Sequence, residues 1–250
     1  MRTVVLITVS AVWLALTAGQ AAAQEVQIEL GGEGALTLQV VQLFVLLTVL
    51  SLAPGIAIMV TCFPFMVTVL SILRQAIGVQ QAPPNMMIVS LALFLTWFVM
   101  APVFDKAWDD GVAPLLDGAI TADEGFVAAM APFRSFMERR VDPRTIEALR
   151  EASPREPEAL AIEQADAGAT PLPLLIPSFM LSEIKRGFEI GFLVFIPFLI
   201  IDLVVASILM SMGMMMVPPA IVSLPFKIAF FVLADGWTLL AGALVRGYGA

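Results

Sequence analysis

Long stretches without a charged residue constrain the fold of this chain more than any other feature. Residues 36–73 run for 38 positions without a charge, and residues 86–104 form a second uncharged segment of 19 residues. About 20 apolar residues in a helix span the hydrocarbon core of a bilayer. The whole chain is 60% hydrophobic, whereas soluble domains are about 45–50% apolar. The sequence therefore predicts an all-α membrane protein.

Prolines divide the first uncharged run. Pro54 and Pro64 should break or bend a long helix, because proline lacks the amide that completes the helical ladder. Arg74 ends the run, and the proline-rich segment 80–85 predicts a turn before the next apolar stretch. Residues 24–104 are thus predicted to form an N-terminal loop and a first hydrophobic helical hairpin.

The first 23 residues have the pattern of a secretory signal peptide. Arg2 is followed by an apolar run of 13 residues, which is too short to span a membrane. Small residues at 21–23 offer a cleavage site before Gln24. Residues 1–23 are predicted to be a cleavable signal peptide, with an uncleaved anchor helix as the alternative.

A polar insert separates the apolar halves. Residues 105–166 contain 7 Lys/Arg and 14 Asp/Glu. Asp142 and Pro143 are a favourable helix start, with an N-cap acid and proline at the first helical position. Residues 105–173 are predicted to be an acidic helical insert that ends in a flexible linker. One helix of the insert should bury an apolar stripe at helical spacing, formed by Phe126, Met130, Phe133 and Met137.

The second apolar half, residues 174–250, is predicted to fold as another helical hairpin around a methionine-rich turn, Met212–Pro219. Asp202 lies twelve residues before Met214, and Lys227 lies twelve residues after Met215. If the helices fold back on each other, these opposite charges meet at the same depth. An isolated charge in hydrocarbon is costly, so we predict a buried Asp202–Lys227 ion pair. The fold is therefore two long helical hairpins, with about four hydrophobic helices.

Three further features of this half carry predictions. Asp235 lies two helical turns past Lys227. It is predicted to be a supporting charge of the same network or a contact to a neighbouring subunit. Gly187 and Gly191 have the small-xxx-small spacing that permits close helix approach. Methionine is flexible and polarizable, so a ring of such side chains could seal a pore; ordinary gap-filling is the alternative. The predicted gasket comprises Met212, Met214, Met215 and Met216.

The composition also argues against several functional classes. The chain has no His, and its one Cys, Cys62, has no disulfide partner, so the usual zinc sites and nucleophilic triads are absent. A net charge of −8 disfavours nucleic acid as a partner. No phosphate loop or dinucleotide fingerprint is present. We expect no catalytic residues, no metal and no cofactor, and hence no enzyme.

These residues together resemble the FliP family, the P-type export-gate proteins of bacterial flagellar type III secretion, which are related to the SctR proteins. The resemblance covers nearly the whole chain after the signal peptide. It is densest in two blocks, made up of residues 73–78, 82–85 and 91–96 in the first and 182–185, 195–204, 213–219, 224–227 and 235–237 in the second.

The resemblance implies a structural pore subunit of the flagellar export gate. It implies a pentameric P ring, assembled with FliQ-like and FliR-like subunits and other export-apparatus membrane proteins into a channel for unfolded substrates. The expected location is the bacterial inner membrane, in the flagellar basal body, with the insert facing the periplasm. The family's methionine gasket carries over to Met214–Met216, and its subunit contacts to Phe136, Glu183 and Lys185.

One departure and two alternatives remain open. Relatives usually have a Thr-Ser-Phe-Thr-Arg run where this chain has Thr61–Phe65, so Pro64 and Phe65 replace the Thr and Arg. A virulence-type (injectisome) gate is the alternative within the family, although the signal peptide favours the flagellar branch. Outside it, the alternative is an ion-coupled secondary transporter with Asp202, Lys227 and Asp235 as a proton relay.

Overall fold

A computed structural model describes residues 33–79, 83–153, 170–214 and 216–248. The predicted signal peptide and most of the predicted linker lie outside these residues. All regular elements of the described ranges are helical, with a π-helical turn at Trp108–Val112. The α-helices are α1 (Glu33–Met59), α2 (Phe63–Ile77), α3 (Asn85–Ala107), α4 (Ala113–Leu116), α5 (Ala122–Arg140), α6 (Pro143–Glu151), α7 (Leu172–Ser211), α8 (Pro219–Leu233) and α9 (Gly236–Arg246).

Three of the described helical segments are long and apolar enough to cross a membrane. They are Val40–Met59, Asn85–Leu116 and Leu172–Ser211, and a fourth crossing is possible if α8 and α9, which are bent by 61°, form one span. Only helices and closed barrels satisfy every backbone polar group inside a bilayer. The predicted all-α membrane class, with about four hydrophobic helices, is confirmed.

The described residues fall into two units, with the division between Ser51 and Leu52. The described part of the first unit is the N-terminal portion of α1. The hydrophobic core of the described residues lies in the second unit. The domain boundaries predicted near residues 104 and 173 stay predictions.

The first long uncharged run breaks at one proline and not at the other. Helix α1 continues through Pro54, whereas α2 begins at Phe63 with Pro64 in its first turn. Proline is tolerated at that position because its missing amide would have no partner there. The predicted break at Pro64 is confirmed, while Pro54 does not end its helix.

Helix α7 is a single helix of 40 residues. The charged residues Glu183, Lys185, Arg186 and Glu189 lie within this helix and do not interrupt it. Glu183 pairs with Arg140, and Lys185 pairs with Asp142. At about 1.5 Å per residue the helix is about 60 Å long, twice the hydrocarbon thickness of about 30 Å.

The core of the second unit forms where α2 packs against α7. A Cβ added at Gly191 would lie 2.3 Å from Ile72 Cδ1, and one added at Gly187 would lie 2.9 Å from Thr68 Cβ. The predicted close approach at this small-xxx-small motif is therefore confirmed, and the partner is a helix of the same chain. The face of α2 in this core is buried over Phe65, Met66, Val69, Leu70 and Leu73.

The insert consists of the π-turn and helices α4–α6. Thr121 and Glu124 form a capping box at the start of α5, and Asp142 caps α6 as predicted. The prediction that α5 buries an apolar stripe is only partly correct, because the stripe is fully buried only at its C-terminal end. Met137 is fully buried, Met130 and Phe133 are half-buried, and Phe126 is exposed.

The insert is fastened to α7 near Asp142. The backbone N–H of Asp142 donates to Ser182 Oγ at 3.0 Å, and Lys185 Nζ lies 2.8 Å from Asp142 Oδ2. The hydrogen bond from Lys185, followed by that from the Arg144 backbone N–H, holds the pKa of Asp142 below its usual value. The ionised carboxylate is thus the form that attaches α6 to α7.

We predict that Gly191→Val destabilises the protein by about 1–3 kcal/mol, because overpacked cores lose roughly that much. The matched control is Gly55→Val, since a Cβ at Gly55 meets nothing within 4 Å. Both variants place valine in a helix, so the change in helix propensity contributes equally to the stability of each and cancels in the comparison. Thermal unfolding in detergent measures the difference, and equal midpoints for the two variants would contradict the close approach.

We also predict that the attachment of α6 weakens in acid. The pKa of Asp142 is lower in the folded protein than its unfolded value of about 3.9. The contribution of its carboxylate to stability is therefore complete at pH values above that unfolded pKa. It is lost as the pH falls through the folded pKa. Hydrogen exchange of the α6 amides against pH should show this loss in the wild type and little of it in Asp142→Asn, which retains a good N-cap. The same acid response in both proteins would exclude Asp142 as its source.

Candidate functional site: the α7–α8 hairpin

A short methionine-rich bend joins α7 to α8. Gly213 has a φ of +74°, a left-handed conformation that glycine adopts without steric cost. The Met214 amide donates to the Leu209 carbonyl at 3.0 Å, which closes the end of α7. Pro218 and Pro219 then start α8. The sequence of the bend thus supplies both the reversal and the new helix start.

The bend presents its methionines outward. Met212 is 68% exposed, Met214 46% and Met216 97%, while Met215 lies outside the described residues. Within a single chain these flexible thioethers therefore pack little against other side chains. Next to the bend, an apolar groove of about 560 Å³ runs between α7 and α8, lined among others by Ile208, Met212 and Phe226.

Asp202 and Lys227 face each other across the hairpin. Lys227 Nζ lies 2.5 Å from Asp202 Oδ2, and Ser223 Oγ donates to Asp202 Oδ1 at 2.5 Å. Lys227 Nζ also donates to the backbone carbonyl of Ala76 at 3.1 Å. Ala76 belongs to α2, so this group of polar contacts joins three helices.

The two charges are not equally buried. The Lys227 side chain is 7% exposed, whereas that of Asp202 is 33% exposed. An ammonium removed from water needs a counter-charge and hydrogen bonds to offset its desolvation. Lys227 depends on Asp202 for this, while Asp202 is only partly buried and also accepts a hydrogen bond from the Ser223 hydroxyl. The arrangement is suited to fixing the register of the hairpin.

Asp235 lies apart from this pair. The sequence predicted one continuous helix carrying Lys227 and Asp235 on roughly one face, and that prediction is wrong, because α8 ends at Leu233. Asp235 has a φ of +48°, and a Cβ at the next residue, Gly236, would overlap the Phe231 ring at 2.2 Å. Asp235 is exposed and makes no salt bridge to the described residues. Its role as a supporting charge stays a prediction.

Two of the three predicted subunit-contact residues, Glu183 and Lys185, lie in the N-terminal half of α7, and the third, Phe136, lies on α5. Glu183 is fully buried and pairs with Arg140 at 3.2 Å. Phe136 is buried against Phe179, with ring centroids 5.7 Å apart. Lys185 is half exposed and pairs with Asp142. The sequence did not single out Arg140 as the partner of Glu183, because 43 residues separate them and no spacing rule connects them.

The structure also gives the local consequence of the Pro64–Phe65 departure. Pro64 lies in the first turn of α2, and Phe65 is buried with its ring 5.4 Å from that of Tyr248. An apolar side chain is thus buried at position 65, where the resemblance implies an arginine. At the other end of α2, Arg74 donates to Oδ1 of Asn85, the first residue of α3.

Comparison with known proteins places these features in one family. The profile described as "FliP family" matches residues 46–244. The chain is 52% identical to the flagellar biosynthetic protein FliP of Caulobacter vibrioides, over 99% of this chain and 91% of the relative. It is 48% identical to the protein of that name from Rhizobium meliloti, over 86% of each chain, and 46% identical to that of Bacillus subtilis, over 83% of this chain and 91% of the relative.

The matched region includes the hairpin, its ion pair and the methionine-rich bend. The identity extends over most of the length of each relative, so it concerns the whole fold and not one motif. The chain belongs to the FliP family.

Proposed function

We propose that this chain is a structural pore subunit of the flagellar type III export gate. It assembles as a homo-oligomeric P ring with FliQ-like and FliR-like subunits and, catalysing no reaction itself, forms the channel for unfolded flagellar substrates. Relatives of 46–52% identity named flagellar biosynthetic protein FliP support the flagellar setting. The observation that carries the pore role is the outward-facing methionine bend on a hairpin fixed by buried charge.

The bend is suited to a flexible seal. Methionine side chains are unbranched and polarizable, so they conform to surfaces of varied shape. The exposed thioethers of Met212, Met214 and Met216 would acquire packing partners when several copies bring their bends to a common axis. Such a ring closes the channel to small ions and yields to a passing polypeptide.

The ion pair keeps the support of this seal rigid. Asp202 lies nine residues before the end of α7 at Ser211, which is about 14 Å at 1.5 Å per residue. Because Lys227 also bonds the Ala76 carbonyl, the hairpin is tied to α2 and cannot slide along it. The methionine side chains of the bend can therefore change conformation while α7 and α8 keep their register.

The apolar outer face of the hairpin fits contacts with neighbouring subunits. Leu203, Val204 and Ile208 of α7 are each more than half exposed, and they lie beside the apolar groove. Apolar surface of this kind is covered either by lipid or by protein. In the proposed gate it is covered by copies of this chain and by the FliQ-like and FliR-like subunits.

The proposed location is the bacterial inner membrane, in the flagellar basal body, with the insert on the periplasmic side. A cleaved signal peptide would send residue 24 outward, and an even number of crossings would bring the insert and the C-terminus to that side. Three long apolar helices and the bent α8–α9 pair support membrane insertion.

A secondary transporter receives less support. Its proton relay would need Asp235 near Lys227, and across the described ranges the two residues form no ion pair. The break at Asp235 places them on different helices. A gate subunit needs only the Asp202–Lys227 pair.

We predict that replacing Met214, Met215 and Met216 with Ala makes the assembled gate leak small ions at rest, because alanine leaves the ring unfilled. Conductance of the purified complex in planar bilayers measures the leak. Replacement of Met86 and Met87, which are exposed at the start of α3, by Ala is the matched control. A closed-state conductance equal to that of the control would refute the gasket role.

We predict an asymmetric response to removal of the two charges. Asp202→Ala leaves the buried Lys227 unpaired and should cost about 3–5 kcal/mol. Lys227→Met should cost less, since Asp202 keeps the hydrogen bond from Ser223 and is less buried than Lys227. The double variant should be more stable than Asp202→Ala alone, because no charge remains unpaired.

Thermal unfolding of the extracted complex, together with its mass, tests this order as a double-mutant cycle. The exchanged pair, Asp202→Lys with Lys227→Asp, should restore assembly only in part, because the new carboxylate would face the Ala76 carbonyl. Strictly additive effects of the two single changes would show that the pair does not act as a unit.

A further inference from the structure

Glu183 is saturated by partners from its own chain. Its side chain has no exposed surface. Oε1 accepts from Arg140 Nε at 3.2 Å and from Arg186 Nη1 at 3.5 Å, and Oε2 accepts from the Tyr248 hydroxyl. We call Glu183, Arg140, Arg186 and Tyr248 the Glu183 cluster. A carboxylate with both oxygens occupied and no exposed surface has nothing left to offer a neighbouring subunit in this conformation.

Arg140 connects three segments at once. It comes from the last turn of α5 in the insert and pairs with Glu183 of α7. Its Nη1 donates to the Gly247 carbonyl at 3.0 Å, and its guanidinium lies 3.9 Å from the centroid of the Tyr248 ring. A planar guanidinium can donate in several directions and stack on a ring at the same time, which a lysine cannot do.

Tyr248, the single tyrosine of the sequence, completes the cluster from the C-terminal end. Its ring lies edge-on to Phe65, at 5.4 Å between centroids, and is stacked with Phe136 at 6.1 Å. Burial first, and then the charge of Glu183, raises the pKa of the phenol. The hydroxyl therefore stays protonated and donates a hydrogen bond to Glu183 Oε2.

We infer that Glu183 is an internal anchor, which clamps the end of the insert helix α5 and the C-terminal residues Gly247 and Tyr248 onto α7. Arg140 and Tyr248 are its positioning residues. This inference rests on the proposed function, because it assigns Glu183 and Phe136 a place within one subunit of the gate. A change at Glu183 would impair assembly by releasing the insert, and not by removing a contact between chains.

Hydrogen exchange of the full-length chain in detergent tests the anchor. Glu183→Gln removes the charge that Arg140 needs, so the amides at the end of α5 and at 246–248 should exchange about tenfold faster or more. The Val141 amide, bonded to Met137, and the Tyr248 amide, bonded to Val245, report on the two clamped segments. Glu189→Gln is the matched control, since Glu189 is an exposed carboxylate on the same helix.

Two milder variants keep the test independent of global unfolding. Tyr248→Phe deletes only the hydroxyl and retains the ring stack, so its effect should be smaller than that of Tyr248→Ala and confined to the same amides. Arg140→Lys keeps the charge, but it cannot preserve all three contacts and should not restore wild-type exchange.

The two possible roles of Glu183 give opposite results. Faster exchange in the single, unassembled chain supports the internal anchor, whether or not the gate then assembles. Exchange equal to the Glu189→Gln control in both Glu183→Gln and Tyr248→Phe, with a defect seen only on assembly, would overturn it. The measurement needs neither export nor conductance, so its failure is separate from failure of the proposed pore role.

Discussion

The close approach of α2 to α7 is the constraint on which the rest of the second unit depends. At Gly187 and Gly191 the helices come nearer than any side chain on that face of α7 would permit. This contact builds a core from a short apolar helix that could not span a bilayer alone. The carbonyl of Ala76, at the end of α2, then lies where the Lys227 ammonium can reach it.

Buried charge recurs along α7, and in each case it is neutralised by another element. Asp202 meets Lys227 near one end, and Glu183 meets Arg140 near the other. A buried pair contributes little net stability compared with well-packed apolar residues, but losing one partner is strongly destabilising. Such pairs therefore specify which helices lie together more than they raise the stability of the fold.

The hairpin was predictable because its signals are local. Two single charges at equal distances from a glycine- and proline-containing turn can meet in only one register. The start of α6 in the insert was predictable for the same reason, because an Asp-Pro step marks a helix start. The Glu183 cluster was not predictable in this way. Its contacts join residues 43, 65 and 107 positions apart, and no periodicity or motif links such separations. The Asp235–Gly236 step is a local turn signal for the left-handed break, but the apolar residues on both sides of it favour one continuous helix.

The uninterrupted length of α7 has a mechanical consequence. From its start at Leu172 to the methionine bend the helix is about 60 Å long, and its two internal prolines do not divide it. A rod of that length acts as a lever: a tilt of about 5° at one end displaces the other by about 5 Å, roughly the width of one side chain. Movement imposed on the insert would therefore reach the far end of α7 as a lateral shift, without any unwinding of the helix between them.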